Sequence, residues 1–221
     1  MTGAVLLDAL GTLVELQPPA PRLRRELADA GFDVSEERAA AGFGAEIGYY
    51  LAHHLDGGDR PGLEDLRDRC ALALMGELGL PELDHATARR AMLAALEFAP
   101  YPDAEPALRE LRADGIKLVI ASNWDCSLPD WLEPLGLLDL VDAVVTSADV
   151  GAAKPDPALF RHALEQAGSP AAETVHVGDS LDNDVAGARA AGIRPLLLVR
   201  DGEPPPGVES LHSLAELPSL T

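Results

Sequence analysis

Two patterns of apolar and polar positions divide the chain. Short, largely unbroken apolar runs occupy residues 4–7, 117–121, 143–146, 174–177 and 195–199. They are too short for helices and rich in Val, Ile and Leu, as strands buried on both faces are. Residues 104–113, 157–167 and 183–191, and a stretch near 129–135, carry helical spacing between those runs. Strands alternating with helices predict parallel βαβ units, hence an α/β fold with a doubly wound parallel sheet of the Rossmann-like kind. From residue 22 to residue 97 the pattern is different. Apolar positions recur three and four apart over residues 23–30, 40–55, 63–78 and 86–96, with turns at Gly31, Gly57-Gly58, Pro61-Gly62 and Pro81. That predicts a bundle of about four helices.

Two proline-containing stretches bracket the helical region, Gln17-Pro18-Pro19-Ala20-Pro21 and Pro100-Tyr101-Pro102-Asp103. Both read as breaks in regular structure, and the first as a linker. The expected organisation is a core of residues 1–16 and 100–221 with an inserted helical-bundle cap of residues 17–99. After Asp201 the tail is proline-rich and then weakly helical.

Composition narrows the function classes. The 221 residues are 47% hydrophobic and 24% charged, as in ordinary globular proteins. The net charge of −20 excludes non-specific nucleic-acid binding and attachment to an anionic membrane. No apolar run is long enough to span a bilayer. The run ending at Leu7 has no basic residues before it, so it reads as a strand and not as a signal peptide. A cytoplasmic protein, monomer or homodimer, is expected. Cys70 and Cys126 are far apart and in no metal-binding spacing, and are expected as reduced thiols. Lysine occurs only at Lys117 and Lys154, which singles out each of them.

In doubly wound sheets ligands bind at the carboxyl ends of the strands. There the sequence places Asp8-Ala9-Leu10-Gly11-Thr12-Leu13, Ser122-Asn123-Trp124-Asp125, Lys154-Pro155 and Gly178-Asp179-Ser180-Leu181-Asp182-Asn183-Asp184. Each has an ordinary explanation alone: a turn, a helix cap, or acids favoured by a helix dipole. Four in succession at one sheet edge point to chemistry. Asp8 can attack as a nucleophile. Its negative charge opposes an anionic substrate, a difficulty that Mg2+ held by Asp8 and Asp179 relieves. Asp184 can orient water on the metal. Lys154 supplies a fixed positive charge, and Ser122 and Asn123 can donate to phosphate oxygens.

The order Asp-x-x-Gly-Thr-Leu, apolar strand-Ser-Asn, Lys-Pro and Gly-Asp-(four residues)-Asp resembles the motifs of the haloacid dehalogenase-like superfamily, from about Val5 to Val199. The resemblance implies a Rossmann-like core with a mobile helical cap. It implies Asp8 as nucleophile, Ser122 as ligand of the substrate anion, Lys154 as charge stabiliser, and Asp179 and Asp184 as metal-site acids. Thr12 falls within the first motif as a candidate substrate ligand. Phosphatases of that superfamily carry a second Asp two residues after the nucleophile, as general acid and base. Here that position is Leu10. Its main-chain carbonyl can still serve the metal, but its side chain cannot carry a proton.

Three readings follow. One is a magnesium-dependent phosphatase of a small phosphate ester, with acid and base work moved to Asp125 or a cap residue, or made unnecessary by an easy leaving group. Another is a metal-independent 2-haloacid dehalogenase, with Arg38 binding a substrate carboxylate; the retained Asp179 and Asp184 count against it. The third is a weak or inactive binding or regulatory module. Phosphonate hydrolysis needs a cap lysine, and the cap has none. Within the cap, residues 46–54 read as one helix with Tyr50 and His54 on one face and Tyr49 and His53 on another. One pair can pack into the bundle while the other meets solvent. Alternatively Tyr50 and His54 contact substrate, with a histidine as proton carrier. His53 and His54 diverge by about 100° on a helix, which disfavours a zinc site.

Overall fold

The computed structural model describes residues 2–221. In chain order the elements are β1 (Ala4–Leu7), β2 (Val14–Leu16), α1 (Pro19–Asp29), α2 (Glu36–His53), α3 (Arg60–Leu78), α4 (His85–Ala95), β3 (Phe98–Pro100), α5 (Ala104–Ala113), β4 (Lys117–Ser122), α6 (Leu128–Leu132), β5 (Ala143–Thr146), α7 (Ser147–Val150), α8 (Pro157–Ala167), β6 (Thr174–Gly178), α9 (Gly187–Ala190), β7 (Arg194–Leu198) and β8 (Ser210–Leu211). The chain divides into two compact units, Met1–Glu15 with Pro100–Thr221, and Leu16–Ala99.

The first unit is built on a six-stranded sheet in the order β5-β4-β1-β6-β7-β8. Its pairs are parallel, with Ala4 opposite both Lys117 and Thr174. Strand β1 is buried over its whole length, which is why its sequence shows no polar alternation. Ala4 and Leu6 point to the face where Val119, Ala121 and Val145 meet Leu159, Phe160 and Ala163 of α8. Val5 and Leu7 point to the other face by the period of two. The chain winds outward from β1 through β4 to β5, then returns to β6 beside β1 and winds the other way. The switch point therefore lies between the ends of β1 and β6, and a crevice for ligands is expected there.

The second unit is helical. Leu23, Leu27, Phe43, Leu66, Leu74, Leu78 and Met92 form its core. Side-chain caps start three helices: Ser35 accepts from Arg38 N, Asp59 from Gly62 N, and Asp84 from Thr87 N. Arg38, the candidate carboxylate ligand, donates from Nη2 to the Gly79 carbonyl just past the end of α3 at 3.0 Å. Cys70 and Cys126 are not joined in a disulfide. No helix among the described residues is long and apolar enough to cross a membrane.

Several expectations are corrected. The stretch 17–21 is not a linker: α1 begins at Pro19, because first-turn residues need no N–H partner and proline suits that turn. Pro61-Gly62 is likewise the first turn of α3. The helix expected at 40–55 begins four residues earlier and ends at His53, where a 3₁₀ turn takes over. The helix expected at 183–191 opens as a π-helical turn over Leu181–Ala186 before α9. The helix near 129–135 is only the short α6. Strands β2, β3 and β8 and helix α7 were not expected; two to four residues leave no period to detect. The tail folds into a 3₁₀ segment, Leu214–Leu220, with a capping box from Ser213 and Glu216.

One core residue of the helical unit is charged in most settings. Glu46 is buried between α2 and α3 with the Cys70 thiol as hydrogen-bond partner, and burial pushes its carboxyl up to about 7. The unfolded chain releases that proton near the ordinary value of 4.5, so the folded state binds more protons between the two. Stability is therefore expected to be full below about pH 4.5 and to fall as pH rises through 7, by roughly 3 kcal/mol at most. Thermal unfolding at pH 5 and pH 8 measures it, and Glu46→Gln should remove this part of the pH dependence.

Candidate active site

The carboxyl end of β1 carries Asp8 into a buried position, where its N–H donates to the Val177 carbonyl of β6 at 2.9 Å. Its Oδ1 accepts from Ser122 Oγ at 3.0 Å and from Lys154 Nζ at 2.5 Å. The same ammonium donates to Asp184 Oδ1 at 2.6 Å. Residues at positions 8, 122, 154 and 184 thus converge on one point from four separate strand ends. Each of the four is buried.

The electrostatics follow from this burial. Desolvation raises the Asp8 carboxyl above its usual range; Lys154 pulls it down and Asp184 pushes it further up. Desolvation alone would lower the Lys154 ammonium, but Asp8 and Asp184 outweigh it and hold the group above its ordinary value. Asp184 is also opposed by desolvation, yet it ends well below the carboxylate range because of His176 and Lys154. Its Oδ1 accepts from His176 Nε2 at 2.9 Å and its Oδ2 from Ser180 N at 3.0 Å. Asp179 is exposed at the rim. Partial desolvation, then Asp8 and Asp184, raise its carboxyl to about 6.

Asp8, Asp179 and Asp184 each offer an oxygen within 4.8 Å of the other two. Three hard oxygen donors balanced by one ammonium make a set that fits a divalent cation of the magnesium type. Two glycines make the approach possible. Gly11 has φ +83°, and a Cβ there would lie 2.0 Å from Asp179 Oδ2. A Cβ on Gly178 would lie 2.1 Å from Asp184 Cγ. Any other residue at either position would displace a carboxylate of the cluster.

Asn123 does not present a free amide. Its Oδ1 accepts from Lys154 N at 2.7 Å and its Nδ2 donates to the Lys154 carbonyl at 3.1 Å, which fixes the lysine main chain. Thr12 is fully buried, and its Oγ1 has no hydrogen-bond partner. Asp125 is buried, with Oδ1 accepting the Ser127 N–H at 2.7 Å, the geometry of a turn former. Leu10, by contrast, is exposed.

Tyr50 and His54 belong to the helical unit. Their rings lie 6.0 Å apart, His54 Nδ1 is 3.1 Å from the Leu51 carbonyl, and the buried Nε2 has no partner. Tyr49 and His53 stack at 4.1 Å, and Arg69 donates to the Tyr49 hydroxyl.

The sequence reading missed three residues. His176 supports Asp184 from inside β6; a histidine in an otherwise apolar strand was its only signal. Arg200 donates from Nη2 to the Thr12 carbonyl at 2.7 Å and stacks over Tyr101 at 3.6 Å. Asp103 receives the Arg200 guanidinium through both oxygens at 3.1 Å, and also Ser213 Oγ and Leu214 N. Together Arg200 and Asp103 tie the loop after Asp8 to the C-terminal segment.

Comparison with known proteins agrees with this geometry. The family model for haloacid dehalogenase-like hydrolases matches residues 2–192. The chain is 42% identical over 126 residues to the haloacid dehalogenase-like hydrolase domain-containing protein 3 of Danio rerio, covering 54% of this chain and 51% of that one. It spans about half the length of the curated relatives it matches. Among solved structures it is similar to a HAD phosphatase from Thermococcus onnurineus (TM-score 0.68, 27% identity, 100% of this chain and 97% of that one). It is similar also to an L-2-haloacid dehalogenase from Xanthobacter autotrophicus (TM-score 0.71, 26% identity, 100% and 98%). With a family match over residues 2–192, the protein belongs to the haloacid dehalogenase-like hydrolases.

Proposed function

We propose that the protein is a magnesium-dependent phosphatase that hydrolyses a small phosphate monoester through an aspartyl-phosphate on Asp8. The observation that carries this reading is the pair of carboxylates, Asp179 and Asp184, gathered beside the nucleophile Asp8, with the Lys154 ammonium between Asp8 and Asp184. Burial raises Asp8 towards its neutral, non-nucleophilic form. Lys154 pulls it back towards the carboxylate, and a second positive charge beside it would favour that form further. Magnesium held by Asp8, Asp179, Asp184 and the main-chain carbonyl of Leu10 would supply that charge and shield the incoming phosphate.

The chain's own groups divide the remaining work. An Asp8 oxygen attacks phosphorus, and the ester oxygen leaves. Ser122 Oγ and Lys154 Nζ, both already on Asp8 Oδ1, stand where the transferred group's oxygens must come, and stabilise them. Asn123 acts through Lys154: it holds the main chain that aims the ammonium. Water then attacks the phosphorus of the aspartyl-phosphate and releases inorganic phosphate and the Asp8 carboxylate. In this reading the helical unit is the mobile cap of the enzyme.

Dehalogenation is the second reading, favoured by Leu10 and by the likeness to a haloacid dehalogenase of known structure. A halide leaves without a proton, so Leu10 would cost that reaction nothing. The cluster of Asp179 and Asp184 beside Asp8 weighs against it, because a carbon-centred displacement on a monoanionic substrate has less need of a metal.

Turnover of a panel of small phosphate monoesters, with and without magnesium, separates the readings. Phosphate release is expected only with magnesium and is expected to vanish in Asp8→Asn. Release of halide from 2-haloacids with no phosphate release would replace the phosphatase reading, and neither activity would leave a non-catalytic role. Asp179→Ala is expected to weaken magnesium binding at least tenfold by calorimetry, as loss of one charged ligand does in such sites; unchanged affinity would remove Asp179 from the metal site.

A further inference from the structure

A carboxylate that displaces an alkoxide needs a proton donor for the leaving oxygen, unless the alkoxide is stable alone. The groups that the first unit brings to Asp8 can be surveyed for one. Lys154 is locked between Asp8 and Asp184 at 2.5 and 2.6 Å, where giving up its proton would leave the two carboxylates facing each other unneutralised. Asp184 accepts from Lys154, His176 and Ser180 N, and so is held as an anion. Asp179 belongs to the oxygen cluster that fits the cation. Ser122 Oγ donates to Asp8, and a hydroxyl is a poor acid. Asp125 is buried, with Oδ1 on the Ser127 N–H.

At the rim the chain presents carbon. Among the described residues of the first unit, the large apolar side chains left exposed are Leu10, 43% accessible, and Leu181, 45% accessible. Each stands two residues beyond a carboxylate of the cluster, Leu10 after Asp8 and Leu181 after Asp179. The two loops that carry them meet: a Cβ on Gly11, the residue after Leu10, would lie 2.0 Å from Asp179 Oδ2. Scattered single leucines on a surface mean little, but these two are the large apolar side chains left exposed on the described part of the unit, and both belong to loops that carry the carboxylate cluster.

We propose that the substrate is a phosphate ester of a weakly basic, apolar alcohol of the phenol class, whose ring rests on Leu10 and Leu181 and whose oxygen departs without a proton from the protein. This rests on the phosphatase reading. An Asp8 oxygen forms a bond to phosphorus as the bond from phosphorus to the ester oxygen breaks. The electron pair stays on that oxygen, and the phenolate takes its proton from water. Water then splits the aspartyl-phosphate, one of its protons going to solvent, and both the carboxylate and inorganic phosphate are regenerated.

The test is kcat/KM, with magnesium, across a series from nitrophenyl phosphates through phenyl phosphate to alkyl phosphates. In the unmodified protein the rate is expected to fall steeply as the leaving alcohol becomes more basic. Leu10→Asp supplies an acid at the rim and is expected to flatten that dependence, raising alkyl phosphate turnover by about 10²–10⁴. Leu10→Asn changes polarity without supplying a proton and is expected to keep the steep slope. Leu181→Ser is expected to raise KM for the aryl esters several-fold and to leave the slope alone; unchanged KM would remove the apolar grip. A shallow slope in the unmodified protein would overturn the proposal, since a hidden acid would then be at work, and loss of that shallowness in Asp125→Asn would identify it. Magnesium-dependent release from nitrophenyl phosphate that Asp8→Asn abolishes keeps the phosphatase reading whatever the slope. Release from no ester removes both.

Discussion

The buried ammonium of Lys154 between Asp8 and Asp184 is the constraint around which the rest of the structure is arranged. Burying one charge costs several kcal/mol unless it is paired and hydrogen-bonded, and removing one member of such a set typically costs about 3–5 kcal/mol. Here the partners come from the ends of β1 and β6 and from the loop beyond β5. They meet only if the sheet has its parallel order and register. Asn123 holds Lys154 by both sides of its main chain, His176 and Ser180 N complete the hydrogen bonds of Asp184, and Ser122 completes those of Asp8. An error of one residue in strand register would turn these side chains to the wrong face and leave charges unpaired. The site thus helps to specify the fold as much as the fold specifies the site.

The same arrangement leaves an imbalance that stability alone would not favour. A structural ion pair would stop at one carboxylate for one ammonium. This site has three carboxylates, packed so closely that Asp179 leaves no room for a Cβ at position 11 and Asp184 none at position 178. Its carboxyl is raised to about 6 and Asp8 is raised as well. Groups pushed towards neutrality next to one another are a form of stored electrostatic work, which a bound cation would recover. Function is the better account of that crowding.

Much of this was legible in the sequence, because the carriers are local. Apolar runs of four to five residues fix the strands, alternation with helices makes them parallel, and the residues just past each run must share an edge. Asp8, Ser122, Lys154, Asp179 and Asp184 follow from that reasoning alone. Arg200, Asp103 and His176 do not, since each is ordinary in its own stretch and is explained only by a partner far away in the chain; Arg200 meets Thr12 across nearly the whole sequence. Asn123 was legible as a site residue but not in its role, because a side-chain amide at a strand end can face substrate or clamp a neighbouring loop with equal chemical ease. The prolines at 19 and 21 were misread for a different reason: proline breaks a helix interior and suits a first turn, and only tertiary packing decides which applies.

The overall charge sharpens the question of how an anionic substrate is held. With a net charge of −20 the protein surface repels a phosphate dianion at long range, so diffusion receives no help from steering. At ordinary ionic strength this field is screened beyond about 8 Å. Inside that distance the balance depends on Lys154, the hydroxyl of Ser122 and the cation that the carboxylates fit. None of these contacts distinguishes one phosphate from another. In the phosphatase reading, discrimination must therefore come from the part of the substrate that is not phosphate, and the large apolar side chains left exposed on the described part of the first unit are Leu10 and Leu181. An apolar leaving group resting on them would shed water from both itself and the two leucines, a gain of about 25 cal/mol for each Å² removed from solvent.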